Sequence, residues 1–204
     1  MGQRLNIEIM KNGETIANCY YHWSAYTTSA LATAIMVISN YEELLKQDLP
    51  DEVLAVKMFE NCYSYLPLSK NEHSYAGLSE ESYKYMTEKY PGYEFRQSTD
   101  RNAGIIGVTD EDIEETRKYE EGTLYIYLDN KIIDNSGLIW EQEIEEYEEE
   151  YEVTVDVDKS KVIPYDNLST IPFDKAEKTL SDIFNNRNSL YVSKDKTSVI
   201  IFIE

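Results

Sequence analysis

Cys19 and His22 stand three residues apart, and Cys62 and His73 are the only other residues of these two types. A Cys-x-x-His pair can hold one side of a zinc ion, provided a second pair completes the tetrahedron. Here ten residues separate the second pair, so no metal site is assigned. The same two residues could instead supply a thiolate nucleophile and an imidazole base. That chemistry needs them within hydrogen-bond reach, with an orienting group and donors for an oxyanion. On a strand, residues three apart point to opposite faces, so no catalytic residues are assigned. A hydrolase centred on the Cys19/His22 junction stays as one functional reading.

A second constellation is His22, Trp23, Tyr26, Thr27, Thr28 and Ser29, followed far along the chain by Arg101 and Asn102. Free amides and hydroxyls where a loop enters a helix can receive an anion or a small polar molecule. Arg101 would add a positive contact. The plainer alternative is a capping loop in which a hydroxyl satisfies the amides and Trp23 and Tyr26 plug the core. Gly104 and Gly107 near Arg101 do not complete a dinucleotide fingerprint or a P-loop, and no cofactor is expected. A turn leading into a short strand accounts for that stretch equally well.

These residues must be positioned by local elements that the sequence announces. Leu5 to Ile9 alternates apolar and polar, Asn12-Gly13 supplies a hairpin turn, and Thr15 to Tyr21 forms the return strand. From about Ala25 to Lys46 the apolar period becomes helical. Further helices are expected after Pro50 with Asp51 as cap, from Ser79 to Tyr90, and from Asp110 to about Glu120 behind the Thr109 cap. Thr123 to Leu128 and Lys131 to Asp134 make a central hairpin that Asn135-Ser136-Gly137 closes. Val153 to Val157 reads as a strand and Phe173 to Phe184 as a helix. Leu190 to Val192 and Ser198 to Ile203 form a closing hairpin. Hairpins separated by helices indicate an α+β fold with a mainly antiparallel sheet. No linker divides residues 1–204, so a single domain is expected, with a helical lobe at about 25–90.

The chain carries 19 basic and 39 acidic residues, a formal charge of −20. Such a charge repels phosphate backbones and anionic lipid, which argues against direct nucleic-acid or membrane binding. No stretch approaches a bilayer span, and the start MGQRLN has no signal core; a cytoplasmic protein with reduced thiols is expected. Trp140, Ile144, Tyr147 and Tyr151 fall on one helical face. The other faces carry Glu141, Glu145, Glu146, Glu148, Glu149, Glu150 and Glu152. Residues 141–152 hold eight carboxylates, about one charge per 2.3 Å at helical rise, against roughly 1.7 Å in duplex DNA. Such a helix could mimic DNA in a basic groove. The plainer reading is a solvated face. Eighteen tyrosines against five phenylalanines suit contact surfaces, since each phenol buries a ring and keeps a hydroxyl.

The stretches MGQRLNIEI, CYYHWSAYTTSAL and DRNAGIIGVTDEDIEETRKYEEGTL resemble uncharacterised small acidic proteins of bacteriophages and prophages of Gram-positive bacteria. The resemblance covers about the first two thirds of the chain. It implies a mobile-element setting, in which small acidic proteins act as stoichiometric inhibitors of host defence. The leading expectation is therefore an inhibitor that binds the basic surface of a bacterial defence or nucleic-acid-handling protein through its acidic, tyrosine-rich face. A small-molecule binder or sponge for a signalling nucleotide, with its pocket between His22–Ser29 and Arg101, is the second.

Overall fold

Asn12 and Gly13 both adopt positive φ, 53° and 81°, as a two-residue hairpin turn requires. β1 (Leu5–Lys11) accordingly folds back on β2 (Glu14–Tyr21) in the expected hairpin. The computed structural model describes residues 4–22, 27–60, 62, 75–98, 104–118, 121–138, 160–164, 169–185, 190–192 and 198–202. Within them the other strands are β3 (Gly77–Leu78), β4 (Ile105–Gly107), β5 (Gly122–Tyr127), β6 (Ile132–Gly137), β7 (Ser160–Pro164), β8 (Thr170–Pro172), β9 (Leu190–Val192) and β10 (Ser198–Phe202). One seven-stranded sheet runs β3-β4-β2-β1-β5-β6-β8, and a separate sheet runs β7-β10-β9. The closing hairpin forms as expected, with β7 added along β10.

The fold is α+β, but the large sheet is mixed rather than mainly antiparallel. β1 pairs with β5 in parallel, and so does β3 with β4. Hairpin signals report only neighbours in sequence. The β1–β5 pairing joins Ile7 to Leu124 across intervening helices, and no turn motif encodes it. The central hairpin also runs longer than its turn residues suggest. Asn135, Ser136 and Gly137 belong to β6, where a register shift lets Gly137 pair with Thr123.

The helices are α1 (Thr27–Ser39), α2 (Tyr41–Leu45), α3 (Asp51–Glu60), α4 (Glu80–Lys89), α5 (Asp110–Arg117) and α6 (Ala176–Asn185), the last entered through a 3₁₀ turn at Phe173–Lys175. The single helix expected over 25–46 breaks at Asn40, whose ψ of 2° leaves the helical range. Ser39 Oγ there donates to Met36 O at 2.7 Å. The Thr109 cap forms as read, and Ser79 caps α4 in the same way, each accepting an amide from the third helical residue.

Leu5, Ile7 and Ile9 of β1, with Ala17, Cys19 and Tyr21 of β2 and Leu124 and Ile126 of β5, form one apolar sheet face at 0% exposure. α1 and α3 lie on the sheet, and α3 contributes Val53, Leu54, Ala55, Val56, Met58 and Phe59 to the same core. The opposite face of β1 carries Asn6 and Glu8. The alternation suggests these two face solvent, yet they are 0% and 1% exposed. α5 covers them.

Candidate functional site

Tyr20 is the penultimate residue of β2 and points away from the apolar core, since its neighbours Cys19 and Tyr21 face inward. The chain turns at His22, which places the imidazole beside the phenol, and Tyr20 Oη and His22 Nδ1 share a hydrogen bond of 2.9 Å. Their rings meet edge to face at 6.2 Å. The pair sits on the wall of a cleft of about 460 Å³, completed by Arg4, Ser79, Ile105, Gly107, Asp112, Glu115 and Thr116. Five elements meet there: the start of β1, the end of β2, the cap of α4, the short strand β4, and α5. Tyr20 pairs with Ile105 and Asn18 with Gly107 across β2 and β4.

The α5 side of the cleft is held by polar contacts. Asp112 Oδ2 accepts from Ser79 Oγ at 2.5 Å and also from Ser82 Oγ, which itself accepts the Val108 amide at 2.9 Å. This ties the first turn of α5 to the first turn of α4. At the other end Arg117 forks onto Glu8, with Nε to Oε1 at 2.7 Å and Nη2 to Oε2 at 2.6 Å. Asn6 Nδ2 and Thr15 Oγ1 complete the Glu8 carboxylate at 3.1 and 2.7 Å. Asn18 Nδ2 donates to Asn6 Oδ1 at 3.1 Å and to Thr116 Oγ1 at 2.5 Å. One polar network therefore runs from the centre of the sheet to the rim of the cleft. Gly107 allows the helix its close approach, because a Cβ there would stand 2.6 Å from Asn18 Oδ1 and 3.0 Å from Asp112 Cβ.

Of the residues singled out by sequence, His22 lines the cleft. Thr27, Thr28 and Ser29 open α1, though their side chains lie outside the described residues, as do Trp23, Tyr26, Arg101 and Asn102. Glu141, Glu145, Glu146, Glu148, Glu149, Glu150 and Glu152 lie outside them too, with the Val153 to Val157 strand. Cys19 is turned to the core face, opposite Tyr20 and His22, at 0% exposure. Burial pushes its thiol far above the ordinary range, against the opposing pull of the Tyr21 hydroxyl beside it, and pushes Cys62 up to about 12. A hydrolase built on a Cys19–His22 pair therefore has no accessible nucleophile. Both cysteines are free.

Sequence reasoning missed Arg4, Tyr20, Ser79, Asp112, Glu115 and Thr116 as cleft residues. One signal was available: Asn6, Glu8 and Asn18 put short polar side chains in the middle of strands, where such residues are depleted. A second cleft of about 550 Å³ lies between α1, α2 and Phe173 and is bordered by the Lys131–Glu42 ion pair at 2.6 Å. Its lining also carries Ser39, Tyr41, Asn130, Asp174 and Glu177, so three carboxylates stand there against the single Lys131 ammonium. Among the described residues no cluster of three or more potential ligands could hold a metal ion, and no helix is long and apolar enough to cross a membrane.

Fold and cleft together define an α+β protein with a mixed seven-stranded sheet and a cleft at the open end of its β1–β2 hairpin. Comparison with family models, with curated proteins and with solved structures finds no match for the chain.

Proposed function

We propose that the protein binds a small polar molecule in the cleft at His22. The observation that supports this reading is the Tyr20–His22 pair, bonded at 2.9 Å on the wall of a cleft large enough for a ligand. The Tyr20 ring and Ile105 offer an apolar surface. Arg4, Asp112 and Glu115 place charge of both signs around it. Two carboxylates on the wall, in a chain of net charge −20, disfavour a ligand bearing several phosphates. A neutral or zwitterionic molecule with a flat or apolar body fits this charge balance better than a signalling nucleotide does. The test is native mass spectrometry of the protein purified from bacterial lysate, with analysis of small molecules released on denaturation. A stoichiometric molecule whose retention falls in Tyr20→Phe and His22→Ala supports the reading. An empty protein that no amino acid, nucleoside or sugar stabilises thermally overturns it.

A second reading rests on charge. The eight carboxylates of residues 141–152 suit electrostatic docking on a basic bacterial protein, in the manner of a phage-type inhibitor acting in the host cytoplasm. Neutralising Glu145, Glu146, Glu148 and Glu149 together should abolish capture of such a partner and the salt dependence of binding. Unchanged capture would refute it.

A further inference from the structure

α5 supplies the Asp112, Glu115 and Thr116 side of the cleft, yet Ile113 is its only buried side chain. Polar clamps hold its two ends: Asp112 on the Ser79 and Ser82 hydroxyls, and Arg117 on Glu8. We infer that α5 is a movable wall, released from the sheet as a unit while the remaining fold stays intact, and that its release admits and expels the ligand of the cleft. The second half rests on the proposed binding function. The first half stands without it.

Two observations carry the inference. A helix fixed by one apolar side chain uncovers little apolar surface when it lifts, and its polar groups exchange protein partners for water. Lifting α3 would instead uncover six apolar side chains. The closed position also contains a defect. Asn18 Oδ1 is fully buried and has no hydrogen-bond partner, and it lies at Gly107 on the face that α5 covers. A buried acceptor that no protein donor reaches disfavours the arrangement that buries it. Water reaching it when α5 lifts removes that penalty, so the wall is poised to open.

Native-state amide exchange on the intact protein, without ligand, tests the release. Ile113 to Arg117 should exchange about a hundredfold faster than Leu124 and Ile126, with a shallower dependence on denaturant, as a local opening does. Ile126→Val, a mild truncation on the opposite sheet face, should speed Leu124 exchange by up to about tenfold and leave α5 unchanged. Thr116→Val, which removes the hydroxyl that accepts from Asn18 Nδ2, should speed α5. Equal rates and slopes in α5 and β5, both accelerated alike by Ile126→Val, would show that α5 opens only with the whole protein and overturn the inference. That outcome leaves ligand retention untouched, whereas an empty cleft with fast α5 exchange refutes the binding reading and the admission of a ligand and leaves the release of α5 standing.

Discussion

Replacing Glu8 with glutamine nearly preserves the shape of the side chain and removes its charge. The carboxylate is 1% exposed and accepts four hydrogen bonds, two of them from Arg117 at 2.6 and 2.7 Å. An amide turned into this site sets its NH₂ group against donors and loses the ion pair. Leaving one partner of a buried pair uncompensated costs about 3–5 kcal/mol. Arg117, however, is 44% exposed and recovers part of its hydration, which lowers the expectation to about 2–4 kcal/mol. Urea unfolding followed by circular dichroism reads this as a midpoint lowered by about 1–2 M, given the usual denaturant slope. The cycle with Arg117→Met should show a coupling of about 1–3 kcal/mol, because either substitution removes the same pair. A Glu8→Gln protein within about 0.5 kcal/mol of wild type, with no coupling to Arg117→Met, would refute the placement of this network.

Other expectations follow from single positions. A Cβ on Gly77 would lie 2.6 Å from Ser98 N and 2.8 Å from Gln97 C, while one on Gly92 meets nothing within 4 Å. Gly77→Ala should therefore lower stability by about 1–3 kcal/mol and Gly92→Ala by less than about 0.5 kcal/mol; similar melting temperatures for the two would contradict the close approach. Ser79→Ala removes both the cap of α4 and a donor to Asp112, and a loss of about 1–2 kcal/mol in chemical denaturation is expected. Cys19 and Cys62 should resist a thiol reagent at pH 8 until denaturant is added; prompt labelling of either would place it at the surface. Burial raises both thiols in the folded state, so above the ordinary thiol range the folded chain binds more protons than the unfolded one. Stability then falls with rising pH by about 1.4 kcal/mol per unit per thiol. Cys62→Ala should halve the thiol part of that alkaline slope, and an unchanged slope would count against the burial of Cys62.

The elements legible in the sequence are those whose signals are local. Asn12-Gly13 makes its turn because both residues tolerate positive φ, and Ser79 and Thr109 cap helices through amides three residues away. The sheet order was not legible, because Ile7 meets Leu124 and Gly77 meets Ile105 with no turn to announce either pairing. Of the cleft lining only His22 stood out, by type. Glu8, which anchors the network behind it, showed in the sequence only as a polar member of the alternating stretch Leu5 to Ile9. Its burial depends on Arg117, 109 residues away, within a helix whose other charged residues are all acidic. Nothing in the local pattern of β1 encodes that partner.

The outermost strands of the large sheet are β3 and β8, of two and three residues. β8 ends in Pro172, which has no amide hydrogen to offer a neighbour. Exposed strand edges are where folded chains recruit one another into fibrils, and their usual protections are brevity and proline. This sheet carries both, so crowding many copies together gives its edges little on which to nucleate cross-chain β-structure.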